Sequence, residues 1–198
     1  RVVRLVLASR SPRRAELLRG LRLPFEVMPA DVDESLLPGE PAHAYVERLA
    51  RTKAEAVRGR IAAQDVLVLG ADTTVEIDGR ILGKPEDAGE GVAMLLALAG
   101  RSHRVATGIA VAGPGGTESL CVVAEVEFRD IDRSEAEAYW ATGEPADKAG
   151  GYGLQGIGGI FVTGIRGSAS AVVGLPVAET EQLLRRCGMD TWHERLQG

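Results

Sequence analysis

The chain has 198 residues, enough for one substantial core or two small lobes, and its 45% hydrophobic and 26% charged residues exclude a disordered or collagen-like chain. Acidic residues outnumber basic ones 28 to 23, a net charge of -5, so no overall positive field draws nucleic acid, and the aromatics, 4% of the chain, form no stacking platform. No apolar run approaches ~18 residues and no basic leader precedes an apolar stretch of roughly 7–15, so a soluble, cytoplasmic protein without membrane partners is expected.

The apolar run from Val2 to Ala8 predicts a buried strand. Ser11 then reads as a helix N-cap, Pro12 as the first helical position, and Leu17, Leu18 and Leu21 as the buried stripe. Leu23 to Met28 reads as a short strand, and Pro29 to Glu40 as an acidic loop. Pro41 opens a helix to about Ile61, with Ala44, Tyr45, Leu49, Ala54 and Val57 at helical spacing. Val66 to Gly70 is a second buried strand with Asp72 near its C-terminal end, and a hairpin over 74–82 turns at Asp78-Gly79. Asp87 caps a helix through Leu98. Two long strands, Arg101 to Ala112 and Glu118 to Arg129, pair through the glycine-rich 113–116 turn. Ser134 with Glu137 reads as a capping box for a helix to about Thr142. The glycine-rich segment 143–159 carries Leu154 and Ile157, followed by Ile160 and Phe161, and is expected to pack. A strand from Ile160 to Ile165, a helix from Pro176 through Leu184 and a loose tail over 188–198 complete the chain. The alternation defines an α/β class with a mixed sheet, as one domain over 1–198 with a core of about 3–187, in which the middle hairpin is placed to build a second lobe.

The densest chemistry lies at Ser9-Arg10-Ser11-Pro12-Arg13-Arg14. A helix N-terminus carries roughly +0.5 charge, so Arg13 and Arg14 in its first turn each cost ~0.3–1 kcal/mol unless an anion neutralises them. A phosphate would reverse that sign, because free N–H groups, serine hydroxyls and guanidinium forks would all point at it. Asp31-Val32-Asp33-Glu34 gathers three carboxylates of the kind a hard divalent cation takes, or forms a solvated acidic loop. Asp72, beyond a buried strand, holds a cation, takes a proton from water or starts a turn. Only three of the 23 basic residues are lysines, Lys53, Lys84 and Lys148. In so arginine-rich a chain they mark positions suited to a compact ammonium, unless chance retained them. Cys121 and Cys187 lie in no zinc spacing, and His43, His103 and His193 are too scattered for a His-centred triad. Neither a Walker loop nor a strand-linked G-x-G-x-x-G opening a long helix is present.

Several strings together resemble the Maf family of nucleoside triphosphate pyrophosphatases. They are Ser9-Arg10-Ser11-Pro12-Arg13-Arg14 with Glu16-Leu17-Leu18, Arg51-x-Lys53-Ala54, Gly70-Ala71-Asp72-Thr73, Lys84-Pro85, Thr107-Gly108, Val173-Gly174-Leu175-Pro176, and the run from Gly143-Glu144-Pro145 through Asp147-Lys148-Ala149-Gly150 to Tyr152-Gly153-x-Gln155-Gly156. The resemblance implies a mixed, strongly twisted sheet with flanking helices and two lobes around a nucleotide cleft, akin to inosine triphosphatases and commonly dimeric. It implies hydrolysis of a nucleoside triphosphate between its α and β phosphates with a divalent cation, Mg²⁺, Mn²⁺ or Co²⁺. Carried over by position, Ser9, Arg13, Lys53 and Lys84 face the phosphates with Arg14 beside them, Glu34 and Asp72 hold the metal or activate water, and Arg13, Thr73 and Gln155 fall at specificity positions. The string ending in Gln155 resembles the dTTP and UTP subgroup, and the Gln155 amide can pair with a carbonyl and an N–H at once. A purine-directed (ITP or XTP) pyrophosphatase and a nucleotide-sensing regulator of septum formation are the alternatives.

Overall fold

A computed structural model of the protein describes residues 3–198; Val2, at the start of the first expected strand, lies outside them. The chain forms a mixed sheet of seven strands with helices between them. The strands are β1 (Arg4–Leu7), β2 (Glu26–Val27), β3 (Val66–Ile77), β4 (Arg80–Leu82), β5 (Ser102–Gly113), β6 (Gly116–Phe128) and β7 (Val162–Arg166). Their order is β2-β1-β3-β5-β6-β7, with β4 on β3. The helices are α1 (Pro12–Gly20), α2 (Ala42–Arg58), α3 (Ala88–Leu98), α4 (Arg133–Ala141), α5 (Ala169–Val173), α6 (Val177–Arg186) and α7 (Thr191–Gln197). Three 3-10 turns occupy Glu144–Asp147, Ala149–Gly151 and Ile157–Phe161.

Two compact units divide the chain. The first comprises residues 1–72, 107–122 and 174–198, and the second residues 73–106 and 123–173. In the first unit β1 pairs in parallel with both β2 and β3. Leu5 and Leu7 of β1, Leu67 and Leu69 of β3, and Ile109 and Val111 of β5 share one cluster with Leu18 of α1 and Leu183 and Leu184 of α6. The alternate residues Val6, Ala8, Val66, Val68, Ala110 and Ala112 share the other, with Ala50, Ala54 and Val57 of α2. Covering both faces explains why Leu5, Val6 and Leu7 are apolar at every position rather than alternating.

The second unit has one cluster, built on Val75, Val105, Val126 and Phe128 with α3, Tyr139 of α4, Tyr152 and Phe161. Its strands alternate, as a half-solvated sheet requires: Val126 and Phe128 are buried while Glu125 and Glu127 are exposed. The glycine-rich segment packs only in part: Gly150, Gly151, Tyr152 and Phe161 are buried, but Ile157 and Ile160, expected to pack, are 46% and 57% exposed.

Several expectations change. β3 runs unbroken from Val66 to Ile77, so Asp72 sits within the strand rather than beyond its end. The strand is prolonged because its first half pairs with β1 over 66–69 and its last part with β4 over 75–77. α4 is capped by Asp132, whose side chain accepts the Glu135 N–H, and not by Ser134. The tail is ordered: α7 buries Thr191 and Glu194, and Arg195 donates to the Leu21 carbonyl at 2.7 Å. A short α5 precedes α6. Ile160 and Phe161 end a 3-10 turn before β7 begins.

Candidate active site

The junction between β1 and α1 is built from side-chain caps. The Ser11 hydroxyl accepts the Arg14 N–H at 3.2 Å, and the Ser11 N–H donates to the Ser9 hydroxyl at 3.1 Å. Arg14 also donates through Nη1 to Ser9 Oγ at 3.2 Å and through Nε to the Gly174 carbonyl at 2.6 Å. The Ser9 oxygen thus accepts twice, which leaves its own proton to donate to a ligand. Burial lowers the Arg14 pKa against the raising influence of Asp72, and the neighbouring Arg13 lowers it further. Two partly buried arginines at a helix start are the repulsive arrangement expected where an anion binds.

Lys53, on α2, extends from Leu49-Ala50-Arg51-Thr52, where the buried Leu49, Ala50 and Ala54 fix the helix against the sheet. Its Nζ lies 2.7 Å from Glu34 Oε1 and 2.8 Å from Asp72 Oδ1. Lys53 and Asp72 are each 14% exposed at the side chain, and Glu34 is 54% exposed. β3 continues past Leu7, the last β1 residue paired with it, so Asp72 projects beyond the carboxyl end of β1. Burial raises the Asp72 pKa above the ordinary carboxylate value, overcoming the opposing pull of the Lys53 ammonium, its hydrogen bond and Arg14. A carboxylate so desolvated holds a proton more readily than one in water.

Glu34 is the one member of the acidic loop that reaches this ammonium. Asp33 turns instead to its own loop, accepting from the Ser35 amide and hydroxyl at 2.9 and 2.6 Å. The Tyr45 hydroxyl donates to the Glu34 carbonyl at 2.6 Å, and Arg48 donates to the Ser35 carbonyl and grips Glu40 in a fork. Sequence reasoning gave Tyr45 and Arg48 no part, because a loop tether leaves no spacing signal. Of the acidic-loop carboxylates, Glu34 is thus the one joined to Asp72, through the ammonium they share. Among the described residues no group of three or more His, Cys, Asp or Glu side chains is gathered to hold a metal ion.

Thr73, Lys84 and Gln155 belong to the second unit. Lys84 is exposed, directly after β4 and before the buried Pro85, and the preceding Gly83 carbonyl accepts the Gly150 N–H at 3.1 Å. Gln155 is exposed on a turn closed by a Gly156 N–H to Gly153 carbonyl bond of 3.3 Å. Glu144 and Tyr139 support that turn. The Glu144 carboxylate accepts the Ile157 and Gly158 N–H groups at 2.8 and 2.9 Å and the Tyr139 hydroxyl, which in turn accepts the Gly153 N–H at 3.1 Å. Desolvation works against the Glu144 charge, but the Tyr139 hydroxyl and the two amides hold its carboxyl below the usual range.

The chain thus has a mixed α/β fold with a side-chain-capped helix start and an ammonium held by two carboxylates. The family model described as "Maf-like protein" matches residues 4–187, and the chain belongs to the Maf family. A protein of Methylobacillus flagellatus named dTTP/UTP pyrophosphatase is 51% identical over 188 residues, covering 95% of this chain and 94% of that one. A protein of the same name from an Anaeromyxobacter species is 54% identical over 190 residues, covering 93% and 90%. A solved nucleoside-triphosphatase / dITP/XTP pyrophosphatase of Mycobacterium abscessus aligns with 93% of this chain and 95% of that one, at a TM-score of 0.44 and 20% identity.

Proposed function

We propose that the protein hydrolyses dTTP and UTP between the α and β phosphates, releasing the nucleoside monophosphate and pyrophosphate. The observation that carries this reading is the Lys53 ammonium held between Glu34 and Asp72. The names of relatives about 50% identical to this chain supply the substrate class.

In this reading the Ser9 hydroxyl, Arg13 and the α1 N-terminus take phosphate oxygens, while Arg14 holds Ser9 in place through the hydrogen bonds described above. Lys53 and Lys84 neutralise charge that grows on the bridging oxygen as its bond to the α phosphorus breaks and it leaves with pyrophosphate. Asp72, desolvated and raised in pKa, accepts a proton from the water that attacks the α phosphorus. Thr73 and Gln155 contact the nucleoside, with the Gln155 amide pairing with the carbonyl and N–H edge of thymine or uracil. Glu34 fits a divalent cation of the Mg²⁺ type, which is commonly held by one or two carboxylates together with substrate phosphates, and the rival role for Asp72 is to join it as a ligand instead of serving as the base. When bound, such a cation supplies charge neutralisation at the phosphates and orders the water. The acidic net charge supports a protein without nucleic-acid partners, and no helix among the described residues is long and apolar enough to cross a membrane. The reading extends to a cytoplasmic homodimer.

Chromatography of the products formed from dTTP, UTP, CTP, ITP and 7-methyl-GTP, with Mg²⁺, Mn²⁺ or Co²⁺, tests the proposal. Monophosphate and pyrophosphate should form fastest from dTTP and UTP. Orthophosphate as the primary product, or preference for ITP, would overturn it.

A further inference from the structure

We propose that Glu144, acting with Tyr139, is a positioning residue for substrate selection: its carboxylate sets the turn that presents Gln155 to the base. The inference rests on the role proposed above for Gln155 and adds the group that gives that side chain its place.

Gln155 is exposed at the tip of residues 153–158, a segment in which Gly153, Gly156 and Gly158 contribute no side chain to fix the backbone. Each glycine loses more conformational freedom on ordering than other residues do, so something outside the segment must hold it. Both ends of the segment are anchored to one pair of side chains. Before Gln155, the Gly153 N–H donates to the Tyr139 hydroxyl at 3.1 Å; after it, the Ile157 and Gly158 N–H groups donate to the two Glu144 oxygens at 2.8 and 2.9 Å. The Tyr139 hydroxyl completes the link by donating to Glu144.

Glu144 is itself fixed. Its N–H donates to Thr142 Oγ1 at 3.3 Å, and its carbonyl accepts Lys148 Nζ at 2.9 Å. Tyr139 is 3% exposed and packs edge-on against Phe161 at 5.1 Å between ring centroids. The fit is close enough that a Cβ at Gly156 would run into the Glu144 carboxylate. A side chain that reads hydrogen bonds at one edge of a base needs its backbone held to about 0.5 Å, which charge-assisted bonds to a fixed carboxylate supply and a free glycine turn does not.

Steady-state kinetics of the full chain with dTTP, UTP and CTP tests the inference, comparing wild type with Glu144→Ala, Glu144→Gln, Tyr139→Phe, Gln155→Ala and the Glu144→Ala/Gln155→Ala double variant. Glu144→Ala should raise KM for dTTP and UTP about tenfold or more and change kcat far less, as loss of an outer positioning group does. The preference over CTP should shrink as in Gln155→Ala, and the double variant should be no worse than Gln155→Ala alone, because both changes act through one group. Glu144→Gln, which keeps one acceptor oxygen, should fall between wild type and Glu144→Ala. In nucleotide-free protein, amide exchange at Gly153, Ile157 and Gly158 should accelerate. Where a Glu144 variant fails to fold, Tyr139→Phe, which keeps the ring, carries the same comparison. An unchanged dTTP-to-CTP preference in the folded variants, an additive double variant, or a uniform fall in kcat for every nucleotide would overturn the inference. A wild-type protein without dTTP or UTP turnover would instead overturn the proposed function, and this inference with it.

Discussion

Asp72 illustrates how burial competes with charge at a single residue. It has an ammonium 2.8 Å away, yet its pKa is raised because the desolvation of a largely buried carboxylate exceeds that attraction. The sign of the stability effect follows. A carboxyl whose folded pKa lies above its unfolded value binds its proton more tightly in the folded state, so stability falls as pH rises from the unfolded to the folded value and stays reduced above it. Asp72→Asn removes that cost while Lys53 keeps Glu34 as a partner at 2.7 Å. At neutral pH the variant should melt no lower than wild type by calorimetry, while its rate of dTTP hydrolysis falls about 100-fold or more, as expected for loss of a general base. A variant that melts well below wild type with near-normal turnover would reverse both halves of this assignment. The place of Arg13 and Arg14 in the first turn of α1 was legible from the sequence alone, whereas Lys53 stood out only by residue type and took its proposed role from the family resemblance. The tether from Tyr45 to Glu34 was not, because a phenol eleven positions away makes no local pattern.

At the scale of elements, α2 carries Lys53 and must lie close to β3 and β5. Two glycines allow it. A Cβ at Gly70 would meet the Ala50 carbonyl and the Ala54 backbone, and one at Gly108 would meet the Val46 carbonyl and the Glu47 nitrogen. These contacts are with helix backbone, which cannot rotate away as a flexible side chain can. Gly70→Ala should therefore push α2 outward, lower stability by about 1–3 kcal/mol in denaturant unfolding, as overpacking does, and reduce turnover by displacing the Lys53 ammonium from Asp72. A fully stable, fully active Gly70→Ala protein would show that α2 adjusts without moving its lysine. The helix periodicity of α2 and the N-cap of α1 were readable in advance because each depends on residues within a few positions. The unbroken β3 was not, since its length joins a first half paired with β1, remote in the sequence, to the local hairpin with β4.

For the whole molecule, the two units use different core chemistry. The first is aliphatic and covered on both faces of its strands. The second adds four aromatic rings, Phe128, Tyr139, Tyr152 and Phe161, to its aliphatic residues and encloses a histidine. His103 is 2% exposed, shares a 2.6 Å hydrogen bond through Nε2 with the Tyr152 hydroxyl and packs edge-on against Phe128 at 4.9 Å. Its buried Nδ1 has no hydrogen-bond partner among the described residues. Burial lowers its pKa from 6.5 to about 4. The unfolded chain then takes up a proton near pH 6.5 that the folded protein refuses until about pH 4, so stability is lost as pH falls through that window. By linkage the loss amounts to roughly 3 kcal/mol when complete. Melting temperatures of wild type and His103→Phe between pH 7 and 4 should differ by an offset from the orphaned Tyr152 hydroxyl and by a shallower acid slope in the variant. Parallel slopes would show that His103 does not carry the acid sensitivity.

The sequence by itself determined the α/β class, most of the elements and the gathering of serines and arginines at the start of α1, because apolar periodicity, capping and charge are properties of short stretches. Only the tertiary structure decided that Lys53 sits between Glu34 and Asp72, that Asp33 turns away to Ser35, that the last residues form a helix, and that Glu144 and Tyr139 hold the turn around Gln155. Those outcomes depend on burial and on distances between remote segments, and both are set when the sheet and its helices pack.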